Sequence, residues 1–82
     1  MQVMMYTKQN CPLCDQAKDI LVSLQAEIGF RLIERDIYEN DTLLEKFQLM
    51  IPVLEIDDEP IMYGKIQREE IRKRLLLKIG NR

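Results

Sequence analysis

Residues 6–17 of this 82-residue chain read YTKQNCPLCDQA and hold both of its cysteines. It follows a short, mostly apolar run, residues 2–6, which predicts a buried first strand. Pro12 suits the first position of a helix, because proline has no amide hydrogen to leave unpaired and its backbone angle is already helical. The sequence therefore predicts a strand that leads through a polar turn into a helix, with Cys11 as the N-cap.

The first helix is the longest predicted element. Its apolar residues recur at helical spacing from Leu13 to Ile28, and Gly29 stands where a left-handed cap residue would end it. Residues 30–37 form a β-rich segment with imperfect alternation. A strand, helix and strand in so short a length favour a parallel pair joined by a right-handed crossover.

A short second helix is predicted after the second strand. Asn40, Asp41 or Thr42 can cap its first turn, and Thr42 and Glu45 stand at capping-box spacing. We expect this helix to end before the dipeptide Ile51-Pro52.

Two short strands and a last helix complete the chain. Residues 53–56 and 61–63 flank Asp57-Asp58, which is turn chemistry and predicts an antiparallel hairpin. Pro60 cannot donate to a sheet ladder and marks the last strand as an edge. Beyond Gly64, the final helix is marked by four apolar residues: Ile66, Ile71, Leu75 and Ile79.

The predicted order is β-α-β-α-β-β-α, which is an α/β fold with a four-stranded mixed sheet and three helices. A length of 82 residues has room for one compact domain, so we predict a single domain spanning 1–82. Twelve basic and fourteen acidic residues give a net charge of -2, which disfavours nucleic acid or an anionic membrane as partner. No apolar run approaches the roughly 18 residues of a membrane span, and the first residues lack a basic leader, so we expect a cytoplasmic protein.

The two cysteines carry the chemistry that the sequence predicts. A bond between Cys11 and Cys14 would close a very small loop and add little as a structural staple, so the Cys-x-x-Cys spacing points to redox chemistry or metal binding. A free thiol with a pKa of about 8.5 is only ~3% thiolate at pH 7, and amides that open a helix stabilise the charged form. We predict Cys11 as the nucleophile, with Lys8 as a nearby cation, and Cys14 as the resolving thiol.

Three alternatives to a redox enzyme stay open at this point. The cysteines could be incidental buried residues. A second chain could complete a four-thiolate site for zinc or an iron–sulfur cluster, which would make the protein a dimeric cluster carrier, whereas one chain has two cysteines and no histidine. The protein could also be an interaction module that is insensitive to redox state.

Over essentially its whole length the chain resembles the glutaredoxin family, and in particular the short glutaredoxin-like proteins. Tyr6-Thr7 followed by Cys11-Pro12-Leu13-Cys14 is similar to the first strand and active-site turn of that family. Ile51-Pro52-Val53 matches the loop whose proline is cis and faces the active cysteine. The resemblance implies a thioredoxin-like fold and a thiol–disulfide oxidoreductase that uses the two cysteines as a dithiol.

The resemblance also implies a set of substrate-binding residues. The backbone of Ile51, beside Pro52, would pair with an extended thiol peptide and align its sulfur with Cys11. Lys8 matches a basic residue that can approach a glutathione carboxylate, and Gly64 matches one glycine of the glutathione-binding pattern. The other residues expected to line the site are Pro12 and Leu13, and Leu13 stands where most dithiol glutaredoxins carry an aromatic residue.

Partners and cofactors follow from the same resemblance. We expect no bound cofactor and no metal, a monomeric chain, and substrates that are disulfide-bearing proteins or small disulfides. The candidate reductants are glutathione and a reductase of the thioredoxin-reductase type.

Overall fold

A computed structural model of the chain describes residues 1–80. It contains four strands, three α-helices and one short 3-10 turn. In chain order the elements are β1 (Gln2–Thr7), α1 (Pro12–Glu27), β2 (Arg31–Asp36), the 3-10 turn (Ile37–Glu39), α2 (Asp41–Phe47), β3 (Val53–Ile56), β4 (Glu59–Tyr63) and α3 (Arg68–Gly80).

The four strands form one mixed sheet in the order β2-β1-β3-β4. β1 pairs in parallel with β2 and antiparallel with β3, and β3 pairs antiparallel with β4. The predicted parallel crossover, the hairpin and the count of strands and helices are therefore confirmed. β4 is an edge strand, as Pro60 predicts, and the ladder shifts register between Leu54 and Glu55, opposite that proline.

The two faces of the sheet carry different layers. Alternation along the central strands sends Val3 and Met5 of β1, with Leu54 and Ile56 of β3, into one core with residues of α1 and α3. The opposite face carries a smaller cluster around Ile37, Phe47 and Val53, which belong to the 3-10 turn, α2 and β3. Helices therefore cover both faces, but the short α2 leaves part of the second face accessible.

Two helix boundaries differ from the sequence prediction. α1 ends at Glu27 with Ile28 as an extended C-cap whose amide donates to the Leu24 carbonyl, so the prediction of Gly29 as a left-handed cap was wrong. Ile28 is buried against the sheet, and this burial holds the chain extended one residue earlier than a glycine cap requires.

The start of α3 also differs from the prediction. The helix begins at Arg68, so Ile66 lies before it, although its side chain is buried in the main core. Ile79 is predicted on the apolar face but is exposed. Ile71 and Leu75 are the helix positions that anchor α3, because both are fully buried.

The first turn of α2 is capped by Asn40. Its Oδ1 accepts hydrogen bonds from the amides of Thr42 and Leu43 at 2.8 and 3.2 Å. Asn40 was one of three predicted caps, but the capping box of Thr42 with Glu45 is wrong, because Thr42 lies inside the helix. An Asn side chain that satisfies two amides makes a second cap unnecessary.

This cap gives a stability prediction with an internal control. We expect Asn40→Ala to lower the free energy of unfolding by about 0.5–2 kcal/mol, because two helix amides lose their acceptor. Thr42→Ala, two residues further on, should cost less, since its side chain caps nothing. Urea unfolding followed by circular dichroism measures both, and a larger loss in Thr42→Ala would contradict the assignment of the cap.

Among residues 1–80, none of the helices has the length and the apolar composition that crossing a membrane requires.

Candidate functional site

The strand pairing brings four chain segments to one end of the sheet. Thr7 at the end of β1 is in register with Asp36 at the end of β2, and Tyr6 is in register with Val53 at the start of β3. Val53 in turn faces Tyr63 at the end of β4. The cysteine turn, the Ile51-Pro52 loop and the segment after β4 therefore all leave the sheet at this end.

Cys11 and Cys14 occupy the first turn of α1. Cys11 is the N-cap and Pro12 the first helical residue, as the sequence predicts, and the two sulfurs are joined as a disulfide with their Cα atoms 5.1 Å apart. The amide of Cys14 donates to the Cys11 Sγ at 3.2 Å. The exposed fractions are 7% for Cys11 and 2% for Cys14, so Cys11 is the more accessible residue of the pair, in the predicted order.

The loop before β3 is fixed by backbone bonds from the segment after β4. The Ile51–Pro52 peptide bond is cis, Pro52 is buried and Ile51 is half-buried. The amide of Gly64 donates to the carbonyls of Pro52 at 2.8 Å and Met50 at 3.2 Å. These bonds hold both flanks of the proline.

Gly64 has a specific reason to be glycine. Its φ of +76° lies in the left-handed region, which side chains with a Cβ rarely adopt. A Cβ there would meet no atom within 4 Å, so the requirement comes from the backbone angle. Gly64 therefore supports the proline loop through its backbone, and its predicted role in substrate binding stays a prediction.

A polar groove of about 540 Å³ lies beside the cysteine turn. It is lined by Lys8, Gln9, Asn10, Asp36 and Tyr38. Lys8 is exposed and, within residues 1–80, makes no ion pair or hydrogen bond to a cysteine, so its predicted role as a cation beside Cys11 stays a prediction. Asp36 and Tyr38 were not predicted as site residues. Asp36 ends β2 and Tyr38 lies in the 3-10 turn that follows, and the parallel register of β2 with β1 is the signal that could have found them.

Leu13 projects from the same helical turn as the cysteines. Its side chain is 38% exposed although it is apolar, and Pro12 beside it is exposed as well. Burying exposed apolar area is favourable, so these two residues give the surface around Cys11 an apolar character.

Behind the site, Tyr6 and Glu55 form a partly buried pair that sequence reasoning missed. The Tyr6 hydroxyl donates to Glu55 Oε1 at 3.2 Å, and the Tyr6 ring stacks on Phe47 with the ring centroids 4.6 Å apart. Burial, followed by the charge of Glu55, raises the pKa of Tyr6. The neutral phenol therefore stays a donor, and Glu55, which is only 9% exposed, keeps a hydrogen-bond partner.

The donor set bears on the metal alternative. Residues 1–80 contain no group of three or more His, Cys, Asp or Glu side chains arranged to hold a metal ion. A four-ligand zinc or cluster site would therefore have to draw ligands from outside one chain.

Comparison with known proteins identifies the family. The sequence model of the family named glutaredoxin-like domain (DUF836) matches residues 2–76 of this chain. The chain belongs to this glutaredoxin-like family. The resemblance noted from the cysteine turn is thus confirmed at the level of the family.

Solved structures agree with the fold of this glutaredoxin-like chain. A protein of X. campestris is 25% identical with a TM-score of 0.77, covering 92% of this chain and 96% of its own. A protein of Nitrosomonas europaea is 24% identical with a TM-score of 0.79, over 90% of this chain and 89% of its own. Thioredoxin 1 from Thermosipho africanus is 16% identical with a TM-score of 0.70, over 100% of each chain. The fold is thioredoxin-like, and together with the paired cysteines it indicates a redox function.

Proposed function

We propose that this glutaredoxin-like protein is a thiol–disulfide oxidoreductase that reduces protein or small-molecule disulfides through Cys11 and Cys14. The observation that carries the proposal is the position of Cys11 as N-cap of α1, with the Cys14 amide donating to its sulfur. An amide and a helix N-terminus that already face this sulfur stabilise it as a thiolate once the disulfide is reduced. A thiolate at this position is both an attacking group and a good leaving group.

The first half-reaction forms a mixed disulfide. The thiolate of Cys11 attacks one sulfur of the substrate disulfide, a new bond forms between that sulfur and Cys11 Sγ, and the substrate bond breaks. The other substrate sulfur leaves as a thiolate and takes a proton from water. In our proposal, the exposed side chain of Leu13 and the backbone of Ile51 guide the substrate chain to Cys11.

The second half-reaction releases the substrate. Cys14 loses its proton and its thiolate attacks Cys11 Sγ; the internal disulfide forms, the bond to the substrate breaks, and the second substrate sulfur leaves as a thiolate that takes a proton from water. The structure holds this disulfide closed, with the two Cα atoms 5.1 Å apart, within the usual range of about 4.4–6.8 Å. Two electrons have then passed from the dithiol to the substrate.

Regeneration needs an external reductant that supplies two electrons. Glutathione can do this as two molecules that end as one glutathione disulfide, and a reductase of the thioredoxin-reductase type can do it with its own dithiol. Assays of disulfide reduction with glutathione alone and with thioredoxin reductase alone distinguish the two. The reductant that sustains repeated turnover assigns the partner.

The proposed roles of the two cysteines are tested by trapping. We expect Cys14→Ser to accumulate a mixed disulfide with substrate on Cys11, because the group that resolves this intermediate is gone. Intact-mass spectrometry after incubation with a disulfide peptide measures the adduct. The double variant Cys11→Ser with Cys14→Ser is the matched control and should carry none; a Cys14→Ser protein that also carries none would refute the assignment.

A further inference from the structure

An apolar groove on the sheet face that carries α2 lies outside the machinery described above. Its volume is about 590 Å³, and its walls include Phe47 at the end of α2, Met50 and Val53 on either side of the proline loop, and Tyr63 at the end of β4. The lining is mostly apolar. An accessible groove of this kind is suited to an apolar side chain of a partner.

The groove is continuous with the proline loop. Met50 and Val53 bracket Ile51-Pro52 in the chain, and Tyr63 directly precedes Gly64, whose amide bonds to the carbonyls of Met50 and Pro52. An extended chain advances about 3.3 Å per residue. Because Met50 and Val53 lie next to Ile51-Pro52 in the chain, we infer that a polypeptide pairing beside Ile51 meets the groove about two to four residues from its cysteine.

One wall of the groove is a free strand edge. β4 is the last strand of the sheet, and the Gly64 amide points inward to the Pro52 carbonyl. The N–H and C=O of one strand residue point to the same side, and those of the next residue point to the other. Because the Gly64 N–H points toward β3, the N–H and C=O of Tyr63 point away from it. These open backbone groups suit an extended polypeptide, whereas a compact small molecule would leave them to water.

Lys46 places a positive charge at the rim of the groove. Lys46 lines the groove, is exposed, and holds its Nζ 5.1 Å from the centroid of the Phe47 ring. No ion pair to Lys46 occurs within residues 1–80. Its charge is therefore available to a carboxylate on whatever occupies the groove.

We propose that this groove binds a large apolar side chain of the protein segment that carries the substrate disulfide, and that Lys46 pairs with an Asp or Glu on the same segment. This inference rests on the proposed oxidoreductase function and narrows it to extended protein substrates with an apolar and an acidic residue near the cysteine. Glutathione, which has no large apolar side chain, would leave the groove empty.

A set of short peptides tests the groove. Each peptide has one cysteine joined in a mixed disulfide to 2-nitro-5-thiobenzoate, whose release is coloured, and carries Leu or Ala at one position two to four residues from that cysteine. We expect one position at which Leu raises kcat/KM about tenfold over Ala, because three carbons enter an apolar groove that stays partly open. At the neighbouring position, Asp should be preferred over Lys by up to about fivefold.

Variants assign the preferences to the groove. Lys46→Glu should reverse the preference for Asp over Lys, whereas Lys73→Glu, the same change of charge on α3, should leave it as in the wild type. Tyr63→Ser should reduce the preference for Leu over Ala. Each preference is a ratio within one protein, so a general loss of activity does not imitate the effect.

The outcomes separate the groove from the chemistry. The wild type could reduce all peptides and 2-hydroxyethyl disulfide while no position prefers Leu by more than about twofold. That result would contradict the proposed role of the groove and would still support the oxidoreductase function. Ratios unchanged in Lys46→Glu and Tyr63→Ser also overturn it. A wild type that reduces neither the peptides nor 2-hydroxyethyl disulfide overturns both proposals.

Discussion

Cys11→Ser is expected to lower the rate of disulfide reduction to that of the reductant alone. The serine hydroxyl is not ionised at neutral pH, so the group that attacks the substrate sulfur is lost. Cys14 cannot take its place, because it is only 2% exposed and an external disulfide does not reach its sulfur. Reduction of a disulfide peptide with a chromogenic leaving group, at fixed reductant, measures the change.

Cys11→Ser should remove the thiol without disturbing the fold. Serine is among the best N-cap residues, so α1 keeps an acceptor for its first amides and the fold should be preserved. Circular dichroism of Cys11→Ser should match that of the wild type. A variant that retains wild-type turnover would remove Cys11, and with it the proposed dithiol mechanism.

The parts of the site that lie close together in sequence could be predicted. Pro12 between two cysteines, after an apolar strand and before an amphipathic helix, is a local signal, and the structure places Cys11 at the N-cap and Cys14 one turn inside. The edge position of β4 is also local, since Pro60 cannot serve a ladder on both sides. These predictions depend on backbone rules that act within a few residues.

The parts that could not be predicted are set by contacts between distant residues. Gly29 is a good cap by propensity, but burial of Ile28 ends α1 first. Tyr6 and Glu55 become partners only because β1 and β3 pair in register, 49 residues apart. The register of a sheet depends on which faces are buried, and this is fixed by the whole fold.

The same limit applies to the two grooves beside the site. The polar groove joins Lys8 to Tyr38 through the pairing of β1 with β2, and the apolar groove joins Phe47 to Tyr63 across β3. Each is built from segments that carry no motif of their own. In the function we propose, substrate preference depends on such surfaces around the two cysteines, and for this reason the sequence predicts the chemistry more readily than the substrate.

Leu54→Ala is expected to remove a large part of the stability of the fold. Leu54 is fully buried in β3, where it is in register with Met5 of β1 on one side and Met62 of β4 on the other. Truncating a leucine in such a core costs about 2–5 kcal/mol through lost transfer free energy and the cavity left behind. A domain of this size should have roughly 4–12 kcal/mol of stability, so the variant should lose a large share of it and unfold at a clearly lower urea concentration than the wild type.

The same substitution at Leu49 is the matched control. Leu49 is 94% exposed, so Leu49→Ala removes the same atoms from solvent rather than from a core and should change the free energy of unfolding by no more than about 0.5 kcal/mol. Urea unfolding followed by circular dichroism gives both values. Equal losses in the two variants would contradict the placement of β3 between β1 and β4, and with it the sheet that brings Pro52 and the cysteine turn to one end.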